Sequence, residues 1–139
     1  MDEKEKILHF TRELFIKNGF YNTSMDEIAK ELRMSKKTIY KHFPTKMALV
    51  EEVAFHFKDT IKTNILKIID EPSDSSISKL KAIIRFFLEI SIKVDKKWFE
   101  DLQTHAPKVW EQIEKTRKEL ILGNIAKIIG LGKEEGLVR

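Results

Sequence analysis

Residues 24–46 read SMDEIAKELRMSKKTIYKHFPTK, and this stretch decides the fold. Ser24 and Glu27 have the spacing of a capping box, in which a hydroxyl and a carboxylate satisfy free amides at a helix start. The helix they open turns Ile28, Ala29 and Leu32 inward and ends near Arg33 and Met34. Ser35 is a second N-cap, because a small side-chain oxygen accepts from an amide two or three residues on. Its helix spans about two turns, Lys36 to Phe43, before Pro44 disfavours helical geometry at the residue preceding it. Two short helices across a tight turn are the layout of a helix-turn-helix. Ala29 is small where the two must approach, and Ile39 is apolar where the second must bury its inner face. Lys36, Lys37, Tyr40 and Lys41 are left on the outer face, which suits a polyanionic groove.

Upstream, Ile7, Thr11, Leu14 and Phe15 recur at helical spacing, which predicts a helix over residues 4–18 ended by Gly19, with Phe20 packing back on its end. Downstream, Thr45 caps a helix carrying Val50, Val53, Ala54, Phe57, Ile61, Ile65 and Ile68. At 1.5 Å per residue that helix reaches about 35–40 Å, enough to join two halves of a molecule. Pro72 to Ser76 is a polar loop. Ser78 is the expected cap of a fifth helix over residues 79–94, a sixth surrounds Trp98 and Phe99, and Pro107 suits the first turn of a seventh. The seventh is expected to end at Gly130 and Gly132, with residues 133–139 leading to another element.

Composition supports an all-α chain and removes several classes. The 139 residues include 5 glycines and 3 prolines, too few to punctuate many strands. Hydrophobic residues make up 42% and charged residues 35%, too apolar for a disordered chain. No apolar run approaches the roughly 20 residues of a membrane span, so the expectation is a cytoplasmic protein without membrane association. The absence of cysteine removes disulfides, thiol nucleophiles and cysteine-ligated zinc. His9, His56 and His105 are scattered and predict no metal site, and no Gly-rich phosphate loop or HExxH is present. Neither catalysis nor a cofactor is expected. Charge is uneven: residues 1–50 hold 10 basic and 7 acidic side chains, and Leu32 to Val50 contains no carboxylate.

The run Ile7-Leu8, Leu14-Phe15, Gly19-Phe20, Thr23-Ser24, Ile28-Ala29, Ser35, Thr38-Ile39-Tyr40, His42-Phe43 and Lys46 resembles the DNA-binding domain of the TetR family over about the first 57 residues. The resemblance implies a helix-turn-helix at about residues 24–43, with the third helix entering the major groove of double-stranded operator DNA. It further implies a homodimeric repressor that a small-molecule effector releases. Thr23 and Ser24 would lie near a phosphate at the start of the second helix. Ser35, Lys36, Lys37 and Thr38 would lie at the start of the third, Tyr40, Lys41 and His42 along it, and Lys46 would meet a phosphate at the start of the fourth. Arg33 stands in the turn where the family usually has glycine, and Lys37 where many members have glycine.

The resemblance weakens beyond this head. It implies that residues 58–139 form a helical ligand-binding and dimerisation bundle, which ends before the two further helices that complete a typical family member. Phe86, Phe87, Trp98, Phe99 and Trp110 are the expected lining of an apolar effector pocket. The other reading is a helical protein-interaction module that keeps the fold without binding an operator.

Overall fold

The computed structural model describes residues 1–136, and every element among them is a helix. The order is α1 (Glu3–Asn18), α2 (Met25–Leu32), α3 (Lys36–His42), α4 (Lys46–Ile69), α5 (Ser76–Lys93), α6 (Lys96–His105) and α7 (Pro107–Glu134). The expected caps form. Ser24 Oγ accepts from the Glu27 amide at 3.1 Å, Ser35 Oγ from the Thr38 amide at 3.1 Å, and Thr45 Oγ1 from the Ala48 amide at 3.0 Å. Phe43 leaves α3 in extended geometry before Pro44, as the proline requires.

Two boundaries differ from expectation. Ser75, not Ser78, caps α5: its Oγ accepts from the Ser78 amide at 3.2 Å, so Ser78 lies inside the helix. The seventh helix does not stop at Gly130 or Gly132 but runs to Glu134. A glycine inside a helix costs only about 1 kcal/mol, and the last turn is held from outside. The Glu135 carboxylate accepts from the amide and hydroxyl of Ser76, the hydroxyl at 2.7 Å, which ties the end of α7 to the start of α5. Leu137, Val138 and Arg139, part of the stretch expected to approach another element, lie outside the described residues.

The long α4 leaves the head and packs on α5 and α7, while α1 packs on both α4 and α6. One contiguous core therefore spans both halves. Ile7, Phe15, Ile28, Ile39, Leu49 and Val53 fill its head end, and Trp98, Leu102, Val109 and Ile113 continue it. The Trp98 ring, fully buried, stacks on Phe15 at 6.2 Å and meets Phe20 edge-on at 6.0 Å. On the far side, α5 and α7 leave apolar side chains in solvent, including Ile84, Leu88, Ile92 and Leu122.

Trp98 anchors α6 to α1, yet its indole N–H has no hydrogen-bond partner among the described residues. Truncation to alanine should cost about 3–5 kcal/mol from lost burial and the cavity left behind. Trp98→Phe should cost less than half of that, because phenylalanine keeps most of the buried ring and, like alanine, removes the orphan donor. Thermal and urea unfolding of the two variants would measure the difference, and equal losses would show that the retained ring does not restore the α1–α6 packing.

Candidate nucleic-acid interface

The turn between α2 and α3 is made without glycine. Arg33 sits at φ 56°, ψ 40°, the sole non-glycine residue at positive φ among the described residues. The Met34 amide donates to Ala29 O at 3.0 Å and the Arg33 amide to Lys30 O at 3.1 Å, which closes the end of α2 in a Schellman arrangement. Left-handed geometry strains a residue with a Cβ, but the exposed Arg33 side chain projects another cation beside α3.

Lys36, Lys37 and Lys41 are exposed on α3, Tyr40 is 38% exposed beside them, and Ile39 is fully buried against the head core. The cations differ in how they are held. Lys36 Nζ lies 3.0 Å from Asp26 Oδ1, and this hydrogen bond and charge pairing raise its pKa. The local sequence is free of carboxylate, but α2 supplies one from ten residues away. Lys37 and Lys41 form no ion pair among the described residues. Ser35 and Thr38 hydroxyls lie 2.9 Å apart and bond to each other. His42 is half-buried with Nε2 2.7 Å from Glu3 Oε1, so it fastens the end of α3 to the start of α1.

Two further expected residues face inward or are tethered. Thr23, expected near a phosphate, is 4% exposed and its hydroxyl donates to Gly19 O at 3.1 Å, so that side chain staples the α1–α2 turn. Lys46 Nζ donates to Tyr21 O at 3.3 Å, and burial lowers its pKa, with Asp101 and Glu27 opposing the shift. Ser24 keeps its cap and lies half-exposed beside Thr23.

What the sequence did not indicate is how the head is held from below. Asp101 on α6 is 8% exposed, and its Oδ2 accepts from the amides of Phe20 at 2.9 Å and Tyr21 at 3.1 Å. Gly19, at φ 76°, makes this possible twice over: L side chains rarely adopt that geometry, and a Cβ there would collide with Asp101 Oδ2. His105, one turn further along α6, stacks on the Tyr21 ring at 3.6 Å and 4°. The Asp95 amide adds a bond to Ile16 O at 3.0 Å. Glycine at position 19 was the one visible signal, and it pointed only to a helix end.

The other two histidines lie at the α1–α4 contact. Arg12 Nη1 lies 2.9 Å from His56 Nδ1, and Arg12 Nη2 lies 3.2 Å from His9 Nδ1. Burial and the Arg12 charge lower the His56 pKa, so the pair is an imidazole–guanidinium contact.

A cavity of about 300 Å³ lies between α4, α5, α6 and α7. Phe87, Phe99 and Trp110 line it. Trp98 and Phe86 do not, contrary to expectation: Trp98 is spent on the α1–α6 contact, and Phe86 stands half-buried beside Phe87 at 5.9 Å, off the wall. Most of the remaining lining is aliphatic, from Ile61 and Ile65 on α4, Ile83 on α5, and Ile113 and Leu120 on α7.

Residues 7–53 match the family described as "Bacterial regulatory proteins, tetR family". The head of this chain is therefore similar to the DNA-binding head of that family. Over 135 residues it is 29% identical to the uncharacterized HTH-type transcriptional regulator YuxN of Bacillus subtilis, covering 94% of this chain and 46% of YuxN. Over 53 residues it is 47% identical to the HTH-type transcriptional regulator QacR of Staphylococcus aureus, covering 38% of this chain and 28% of QacR. A TetR transcriptional regulator from Legionella pneumophila has the same fold, with a TM-score of 0.75, 25% identity, and 98% of this chain covering 74% of that one. The chain thus spans about half the length of YuxN and less of QacR. The TetR-type head holds the greatest similarity, as the QacR match runs to 47% within it.

Arg33 offers a test of the turn. Arg33→Gly should raise stability by up to about 1 kcal/mol, the relief of left-handed strain less the added freedom of the unfolded chain. Chemical denaturation would measure it, and a clear loss of stability would show that the Arg33 side chain makes a compensating contact.

Proposed function

We propose that this chain is a sequence-specific DNA-binding transcriptional regulator, acting as a homodimeric repressor that a small molecule releases from a palindromic operator. One observation carries the reading: α3 presents Lys37 and Lys41 without carboxylate partners among the described residues, on a helix whose opposite face is locked into the head core by Ile39. The family match over residues 7–53 supports it. Cations on a rigid helix give phosphate affinity through counterion release and place side chains at base edges. Lys36 is pre-oriented by Asp26, and Tyr40 has its hydroxyl-bearing ring on the same face. In a dimer the two recognition helices need centres about 34 Å apart, or a multiple of the helical repeat. The exposed apolar side chains of α5 and α7 are the surface that supports self-association.

In this proposal residues 1–57 are the DNA-binding domain and residues 58–139 the regulatory domain, with the cavity as the effector site. The route between them is short. Phe99 lines the cavity, and Asp101, two residues on along the same helix, holds the Phe20 and Tyr21 amides. A guest that displaces Phe99 moves α6 and thereby the α1–α2 turn. Phe57 on α4 gives a second path, as it both lines the cavity and lies 6.0 Å from Phe99.

A mobility-shift titration on the DNA upstream of the chain's own gene tests the reading. With about 6–8 phosphates neutralised per dimer, log affinity should fall with log salt at a slope of roughly −5 to −7. Lys46→Ala should weaken all sequences about equally. Lys37→Ala or Lys41→Ala should alter preference at one or two base pairs, at about 1–3 kcal/mol for a bidentate contact. Absence of a salt-sensitive, sequence-preferring complex would reject the regulator, and a strict monomer by light scattering would favour an interaction module. Asp101→Ala tests the linkage: it should cost about 1–3 kcal/mol of stability, because two amides lose their acceptor, and should leave a DNA complex that effector no longer dissolves. Normal effector release from the variant would place the coupling elsewhere.

A further inference from the structure

The cavity between α4, α5, α6 and α7 selects its guest by what its wall lacks, an inference that rests on reading it as the effector site. Almost all of the wall that a guest would touch is carbon. Ile61 and Ile65 of α4, Ile83 of α5, and Ile113 and Leu120 of α7 supply much of it. An aromatic row adds to these: Phe57, Phe99 and Trp110 all line the cavity, with Phe99 edge-on to Phe57 at 6.0 Å and to Trp110 at 6.1 Å. The mouth is apolar as well, because Leu80 and Phe87 on α5 and Ile121 and Ile125 on α7 both line the cavity and meet solvent.

Lys58, Glu114, Thr116, Arg117 and Asn124 also border the cavity, yet their polar atoms contribute almost nothing to its surface. Arg117 Nη2 and Nε donate to the Glu114 carboxylate at 2.8 and 3.1 Å, so these two satisfy each other. The Lys58 ammonium lies 5.1 Å from the ring centroid of Phe55, which is outside the lining. Thr116 and Asn124 also border a second cleft, between α4 and α7, together with Lys62, Glu119 and Lys127. That second cleft is the polar one. A charge or hydrogen-bonding group brought into the cavity therefore gives up water and meets carbon, which opposes binding, whereas hydrocarbon leaving water favours it. Volume sets the size of the guest. A cavity of about 150 Å³ lined by Leu, Ile and Phe takes benzene, and at about 300 Å³ this one has room for two fused rings.

We propose that the cavity binds an uncharged hydrocarbon guest about the size of two fused rings, with no polar group directed into the wall. The guest enters between α5 and α7 and is held by burial against the isoleucines and the aromatic row.

Calorimetric titration of the whole 139-residue chain compares naphthalene with analogues that carry a polar group at both ends, so that one end must enter the cavity. These are 2,6-dihydroxynaphthalene, naphthalene-2,6-dicarboxylate and 2,6-bis(aminomethyl)naphthalene. Naphthalene should bind, the diol about five- to 150-fold more weakly, the factor for burying a hydroxyl without a partner, and the two charged analogues not at all. Ile125→Trp sets an indole across the mouth and should largely abolish naphthalene binding. Leu80→Trp should do the same from the α5 side. Both positions are about half exposed, at 49% and 48%, and helical circular dichroism verifies that the variants fold. In the Trp98→Phe background naphthalene should shift the nuclear magnetic resonance signal of the Trp110 indole N–H, which locates it in the cavity. Absence of naphthalene binding, any analogue binding as tightly, an unmoved Trp110 signal, or an affinity that both blocking variants leave unchanged would each overturn the proposal. So would an affinity that falls as the protein is concentrated, because a second copy would then fill the cleft. A parallel mobility shift keeps the two readings apart. Naphthalene that binds selectively without dissolving the DNA complex supports the ligand class and counts against the cavity as an effector site.

Discussion

A single carboxylate oxygen clamps the α1–α2 turn of the head to α6. Asp101 Oδ2 accepts two consecutive amides at the α1–α2 turn, almost out of reach of water. Amides exposed by the left-handed turn at Gly19 would otherwise be buried beneath α6 without an acceptor, and an unpaired buried donor costs more than a formed hydrogen bond returns. The geometry tolerates one residue type at position 19, because a Cβ would occupy the place of that oxygen. Around this point the Tyr21–His105 stack, the Lys46–Tyr21 bond and the Phe15–Trp98–Phe20 cluster converge, so the orientation of the head is set by α6.

The same arrangement explains why the basic face of α3 is both exposed and rigid. Ile39 fixes its inner side, Asp26 braces Lys36 from α2, and Glu3 braces His42 from α1. These contacts are exposed, so they add little to stability. Their effect is orientation, which lowers the entropy lost when the helix meets a partner. Lys37 and Lys41 have no such brace among the described residues. The head core and the cavity share α4 and α6 as walls, so the packing that positions the cations is continuous with the packing that shapes the cavity.

The helices themselves were legible because their signals are local. Ser24, Ser35 and Thr45 each cap the helix they were expected to cap, since the acceptor and the amide it satisfies are three residues apart. Pro44 ends α3 for an equally local reason. The end of α7 differed from expectation because a distant group intervened: Glu135 binds Ser76 and holds α7 past its glycines. Among the five aromatics expected in the pocket, Trp98 and Phe86 were misplaced, because periodicity identifies a buried face without saying which of two neighbours that face meets.

By itself the sequence determined an all-helical chain with a helix-turn-helix head, a basic third helix and a glycine turn at position 19. Caps, periodicity and local charge act within a few residues, and no tertiary information is needed to read them. Only the tertiary structure decided which cations are paired, that Asp101 clamps the head, and that Phe57, Phe99 and Trp110 share one cavity. Those contacts join residues from different helices, up to 81 positions apart in the case of Phe20 and Asp101. Their partners are chosen by how the helices cross, a property of the packed core that no local spacing records.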